Sequence, residues 1–231
     1  GFGISAKEIA NLTGIMTDLE SRAKVASRGM EDTGMIMARL RDIADSAYSP
    51  LEATATAFMN NSTALNALGM SMKEQLDITD SLTNALIVAG AKGEQFEMVM
   101  NTVNRSLAVG VKRNQELEMI QKYGGTVAEA LARQLGTNVT GLKEYAKQGK
   151  ITAQVISDAL VGSMELFRQQ AEDMPATIGD AMVRLRNQVM VTLHDMNASM
   201  DFEQTAVKGI DALKSILVDM QGPLETAVSL G

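Results

Sequence analysis

Apolar positions recur at three- and four-residue intervals along nearly the whole chain, which is the period of an amphipathic helix. Ile9, Leu12, Met16, Leu19, Ala23, Ala26 and Met30 fall on one such stripe, and Ser5 with Glu8 forms a capping box ahead of it. This strict spacing fits a coiled-coil seam, but the small Ala23 and Ala26 and the nearby Gly14 and Gly29 also fit a close helix pair. A second helix carries Ile36, Leu40, Ile43 and Ala47 and should end before Ser49-Pro50, because a residue ahead of proline avoids the helical region. Ser49-Pro50-Leu51-Glu52 then reads as a helix start: serine caps, proline suits the first turn, and Glu52 can bond back. The third helix carries Leu51, Ala55, Phe58, Leu65 and Leu68 and stops at Gly69. A capping box from Ser71 to Glu74 opens the fourth, with Leu76, Leu82, Leu86 and Ala89, ending at Gly90.

Beyond Gly93 the pattern shortens. Phe96, Met100, Val103 and Leu107 run up to Gly110, where the alternation Leu107, Val109, Val111 also allows a short extended piece. Asn114 to Gln121 is a short helix, and Gly124-Gly125 breaks the chain. Thr126 with Glu129 is expected to cap a helix bearing Val127, Leu131 and Leu135. Gly136, Gly141 and Gly149 punctuate two more short pieces. The elements then lengthen. Ile151, Val155, Ala159, Leu160, Met164 and Phe167 mark one long helix, and Pro175 breaks it. Met182, Leu185, Val189, Leu193, Met196 and Met200 mark another, with a stripe that is either core or a contact with a partner. Asp201 to Met220 forms a last helix with Ile210, Leu213 and Leu217 on one face, ahead of Gly222-Pro223.

The expected fold is therefore all-α: a compact multi-helix bundle of about nine to eleven helices, short in the middle and long toward the C-terminus. Three regions are expected. Residues 1–48 form an N-terminal helical pair, 49–200 a helical domain, and 201–231 a C-terminal helix and tail, read as truncated.

Composition narrows the function. At 45% apolar and 21% charged, the 231 residues are those of a globular protein. The longest apolar run, Ala85 to Ala91, is far short of the roughly 18 residues a membrane span needs. Cys is 0 and His is 1, which excludes disulfides and thiolate metal sites and nearly removes zinc, haem and His-based catalysis. A net charge of -7 and the absence of Trp argue against nucleic acid as a partner. The start at Gly1 without Met reads as an excised fragment. The 17 methionines read as padding of the core or as a plastic binding surface.

Every candidate for chemistry is weak. His194 beside Asp195 reads as a surface or interface histidine on a periodic helix. Gly149-Lys150 resembles the end of a phosphate loop, but Ile151 stands where Ser or Thr is needed and Glu144 where Gly is needed. Gly1-Phe2-Gly3 is not followed by the rest of a dinucleotide fingerprint. The carboxylate pairs Asp77/Asp80, Glu116/Glu118 and Asp42/Asp45 read as solvated faces rather than acid/base or metal sites. No catalytic, cofactor-binding or metal residue is assigned.

The order of residues carries more. The pieces "DLESRAKVA" at 18–26, "SPLEATATAFMNNSTALNALGMSMKEQLDITDSLTNAL" at 49–86 and "AGAKGEQ" at 89–95 resemble the tape-measure domain of phage and prophage tail proteins. So do "GTNVTGLKEYAKQGKITAQVISDAL" at 136–160 and "DMPATIGDAMVRLRNQV" at 173–189. The resemblance covers about residues 19–193. It departs at "MNTVNRSLAVGV", where Asn101 and Asn104 stand in a region the family fills with Gln, and at Gly124-Gly125, where the family usually has a proline.

The resemblance implies a structural, non-enzymatic tail protein that sets tail length during assembly. It implies partners among tail tube, tail tip and chaperone proteins and other copies of itself, a location in the virion tail, and the host cytoplasm during assembly. Glycine and proline breaks forbid one rod of roughly 350 Å. The segment is therefore expected to be a docking module at one end of the ruler. A helical adaptor or secretion-apparatus protein is the alternative. A wall-degrading enzyme segment is a further one.

Overall fold

The computed structural model describes residues 7, 11, 14, 17, 18, 30–92, 94–111, 114–175 and 177–198. Among them are nine helices and no strand, so the fold is all-α. They are α1 (Met30–Ser46), α2 (Leu51–Ala67), α3 (Met72–Val88), α4 (Glu94–Val109), α5 (Asn114–Tyr123), α6 (Gly125–Gln134), α7 (Leu142–Lys147), α8 (Ala153–Glu172) and α9 (Ile178–Ala198). The stripe from Ile9 to Ala26 and the helix expected over 201–220 lie outside the described residues. The chain forms two units, one from Gly1–Glu52 with Pro175–Gly231 and one from Ala53–Met174.

In the Ala53–Met174 unit, α3 is the central element. It packs on α8, α4 and α6, and α8 also packs on α6 and α4. Phe58, Leu65, Ile78, Leu82, Leu86, Leu107, Leu117 and Phe167 are fully buried. Each such side chain contributes roughly 1.5–3 kcal/mol by leaving water. The capping box at the start of α3 forms as its sequence requires. Glu74 N–H donates to Ser71 Oγ at 3.3 Å, and Ser71 N–H donates to Glu74 Oε2 at 2.8 Å.

Helix α3 departs from a simple amphipathic pattern, because it is buried on all sides from Ile78 to Ile87. Three of its polar residues donate hydrogen bonds within the helix itself. Thr79 Oγ1 donates to Gln75 O at 3.0 Å, Thr83 Oγ1 to Thr79 O at 2.7 Å, and Asn84 Nδ2 to Asp80 Oδ1 at 2.6 Å. Between helices, Ser81 Oγ donates to Leu160 O at 2.6 Å, and Asn61 Nδ2 to Asn104 Oδ1 at 2.8 Å. Asp80 is 2% exposed. The expectation of a solvated Asp77/Asp80 face thus fails for Asp80, because period-3.6 reasoning assumes that one side of a helix meets water.

In the other unit, α1 packs on α9. The α1 stripe is buried as expected, with Ile36, Leu40, Ile43 and Ala47 in the interior. On α9, Leu185 is buried and Val189 packs against it, as the stripe predicts, while Met182 at the start of that stripe is 43% exposed and Met190 is buried. The α1–α2 corner is held by Asn187 of α9. Its Oδ1 accepts from Leu51 N–H at 2.9 Å, and its Nδ2 donates to Ser49 O at 2.9 Å and to Asp45 Oδ1 at 3.1 Å. Leu51 N–H is one of the orphan amides at a helix start, and here a residue from a distant helix satisfies it. Tyr48 takes φ 48, the left-handed turn in which Ser49 N–H donates to Ala44 O at 2.8 Å. That position is usually glycine.

Two local expectations are corrected. Helix α6 starts at Gly125, with Gly124 as its cap residue and no side-chain cap, rather than at a Thr126 cap. A Cβ on Gly124 would lie 2.9 Å from Val99 Cγ1 and 3.1 Å from Ile120 O, so α5 turns into α6 through one residue held against the core. Only one helix, α7, forms between Gly136 and Gly149, and residues 137–141 are a turn. At the possible extended piece, Leu107 and Val109 are helical. Val111 alone leaves the helix, and its N–H donates to Ile151 O at 2.9 Å.

Candidate interaction surface

The residues considered for chemistry are not brought together. Gly149 has φ +66 and closes α7, with Lys150 N–H donating to Tyr145 O at 2.9 Å. Lys150 Nζ lies 5.6 Å from the Tyr145 ring centroid, so this dipeptide is a helix stop rather than a phosphate loop. His194 and Asp195 fall in α9, but their side chains are outside what the structure describes. Glu118 pairs with Lys143 at 3.6 Å. Among the described residues no group of three or more His, Cys, Asp or Glu could hold a metal ion. No described helix is long and apolar enough to cross a membrane.

Asp45 is an acidic group whose setting is altered by burial. Burial pushes its carboxyl above the ordinary 3.8, while the Asn187 hydrogen bond and the nearby Arg41 and Arg184 pull the other way. Its Oδ2 lies 3.7 Å from Arg41 Nε, and Arg184 sits over the Tyr48 ring at 5.9 Å. These contacts hold a helix corner. The neighbouring Asp42 carboxylate adds to the upward push on Asp45.

What the Ala53–Met174 unit does present is surface. The end of α4 and the start of α8 flank an open groove of about 670 Å³ lined by Val109, Gly110, Val111, Lys147, Gly149 and Ile151 among others. Gly110 makes it possible. With φ +76, it turns the chain so that Val111 reaches Ile151, and a Cβ there would stand 3.0 Å from Ile151 O and 3.3 Å from Thr152 Cα. Val109 stays 50% exposed at the lip, and Lys147 is exposed on the opposite side.

The second surface is the outward side of α8. Thr152 caps this helix, its Oγ1 accepting from Val155 N–H at 3.2 Å. Phe167, Leu160 and Ile156 face the core. Asp158, Gly162, Glu165, Gln169, Glu172 and Asp173 are exposed, together with Val161 and Leu166, each 42% exposed. A Cβ on Gly162 would meet nothing within 4 Å, which leaves a notch between the two apolar side chains. Arg168 is the one cation among them, bound to Glu165 at 2.7 Å and close to Glu172 at 4.0 Å. The α8 pattern Val155, Ala159, Met164, Phe167 was visible in sequence. The groove was not, because it depends on a turn at Gly110 meeting a residue 41 positions away.

No curated protein and no solved structure matches the chain. A family model described as "Tape measure protein" matches residues 7–198, most of the 231-residue chain and all nine described helices. The chain belongs to the tape measure protein family.

Proposed function

We propose that this chain is a non-catalytic structural module of a bacteriophage or prophage tail tape measure protein, and that it docks to tail components rather than serving as the ruler itself. The family membership supports the tail setting. The observation that carries the docking role is helix length: the longest described helix, α9, has 21 residues, or about 30 Å. A ruler needs length that adds up along one direction, and a chain divided into short helices packed on one another does not supply it. In this reading the ruler lies elsewhere in the protein, residues 49–200 form the docking module, and its partners are tail tube, tail tip or assembly chaperone proteins. The module acts in the host cytoplasm during assembly and ends in the virion tail.

The test is tail length in a phage carrying in-frame insertions at loop positions within 49–200. The expected outcome is fewer assembled tails of unchanged length. Tails that lengthen in proportion to the inserted residues refute the docking role. A helical adaptor is the alternative reading, and a wall-degrading segment a further one. Measurable peptidoglycan turnover by the chain, abolished by one carboxylate substitution, would establish that reading instead.

A further inference from the structure

Burying an asparagine between two helices is costly unless its whole amide finds partners. The Ala53–Met174 unit buries two that face each other, Asn61 of α2 and Asn104 of α4. Asn61 Nδ2 donates to Asn104 Oδ1 at 2.8 Å. The other half of each amide, Asn61 Oδ1 and Asn104 Nδ2, is buried with no partner among the described residues. The surroundings of this pair return little. Thr54, Ala57, Phe58, Asn61 and Leu65 recur at three- and four-residue spacing, so they share one side of α2. All five are buried, yet only Phe58 and Leu65 are large and apolar. On α4, buried Met100 and Leu107 flank Asn104 on its own side. We propose that α2 is a flap that lifts from α4 at the Asn61–Asn104 pair while α3 and α8 stay packed, uncovering Phe58, Leu65, Met100 and Leu107.

Native proteins open first where the fewest favourable contacts are lost. Lifting α2 lets both amides bond water, so the polar half of the contact gains on opening while the apolar half loses two large side chains. Helix α3 also buries unpaired polar atoms, Gln75 Oε1 and Asn84 Oδ1. There the balance differs, because α8, α4 and α6 all pack on α3 and its Ile78, Leu82 and Leu86 are fully buried. The turn after α2 has room to follow the motion. Gly69 takes φ +79, Met70 N–H closes the helix on Leu65 O at 3.1 Å, and a Cβ on Gly69 would meet nothing within 4 Å. The consequence is an apolar surface hidden at rest and shown only while α2 is lifted. This goes beyond the docking role proposed above and stands without it.

The test uses the 231-residue chain, which has no cysteine, so a single introduced thiol reports on its own place. Ala57→Cys puts the thiol on the packed side of α2, and Ala159→Cys puts it on the core side of α8, both at buried positions. Under native conditions the thiol at position 57 should be labelled at least about 100-fold faster than the one at 159. Amide exchange should show α3 and α8 still protected on that timescale. Two further changes are made in the Ala57→Cys chain. Asn104→Leu alone strips Asn61 of its bond and should speed labelling about tenfold. Asn61→Leu together with Asn104→Leu removes both amides, with leucine keeping the branched outline of asparagine, and should slow labelling about tenfold below the Ala57→Cys rate.

Equal labelling at the two positions overturns the proposal. So does a double change that labels as fast as Asn104→Leu alone, or labelling at 57 that proceeds only as α3 loses its protection. If the double change lowers helicity, amide exchange of the unaltered chain decides. The α2 amides near Asn61 should then open at least about 100-fold more often than the slowest α3 amides, and equal protection in the two helices overturns the flap. None of these failures touches the tail reading, which rests on tail length and wall turnover.

Discussion

Replacing Gly110 by alanine isolates what the groove costs the chain to build. The residue sits at φ +76, where an L side chain is disfavoured by about 1–2 kcal/mol. Alanine returns roughly 0.4–1 kcal/mol by restricting the unfolded chain. Gly149 shares the first two terms, with φ +66, but a Cβ there meets nothing within 4 Å. Gly149→Ala should therefore cost about 1 kcal/mol or less. At Gly110 the new Cβ stands 3.0 Å from Ile151 O and 3.3 Å from Thr152 Cα. Both are backbone atoms and cannot swing aside as a side chain can. The start of α8 must shift, which loosens the Val111–Ile151 hydrogen bond, worth about 0.5–1.5 kcal/mol, and adds a packing term of about 1 kcal/mol or more. The total for Gly110→Ala is about 3 kcal/mol, and the difference between the two variants about 2 kcal/mol. Amide exchange of the slowest α3 and α8 protons reads the opening of this unit directly, which suits a chain of two units better than a single melting temperature. Equal losses in the two variants would refute the reasoning, since the steric part would then be absent.

Asn187→Ala should cost about 2–4 kcal/mol in urea denaturation, because it strips the partners from buried Leu51 N–H and Ser49 O. Asn187→Asp should recover only part of this, since it can accept from Leu51 but cannot donate to Ser49. Phe167→Ala should cost about 3–5 kcal/mol through a cavity under α8, read by amide exchange of α3, and a loss under 1 kcal/mol would show that the site collapses freely. Two carboxyls should act in opposite senses with pH. Asp45 is raised above 3.8 by burial, so its folded protonated form is favoured, and stability is lost as pH rises through the raised value. Asp45→Asn should remove that fall. Glu74 is lowered from 4.5 by its hydrogen bonds with Ser71, so its contribution is present above 4.5 and lost as pH falls through the folded value. Ser71→Ala should flatten that acid-side loss in stability curves taken from pH 2 to 7.

Much of this architecture was legible because the helices announce their own ends. Gly69, Gly90 and Gly149 stop helices where the sequence places the stops, and Ser71 with Glu74 starts one where its capping box lies. These signals act within five residues, so a linear reading finds them. The Asn187 corner was not legible, since its partners lie 136 and 138 positions away and an asparagine inside a long helix has no local mark of such a role. Asp80 was misjudged for a related reason. Whether a polar side of a helix meets water depends on how many neighbours surround that helix, and α3 has packing partners in α8, α4 and α6. The groove needed both a left-handed turn and knowledge of what it turns toward.

The way α3 meets its polar demands has a mechanical consequence. Thr79, Thr83 and Asn84 bond to the turn below them on the same helix, so drawing α3 out of its neighbours keeps those bonds whole. Across the helix pair with α8, the Ser81 hydroxyl must let go of Leu160 O. Beside that bond and the attraction between Asp80 and Arg168, the two helices resist through apolar contact, which yields gradually with displacement instead of snapping at one point. A passage too narrow for a bundle could thus be entered by one intact coil at a time, with the threads unpicked in series rather than the weave torn at once.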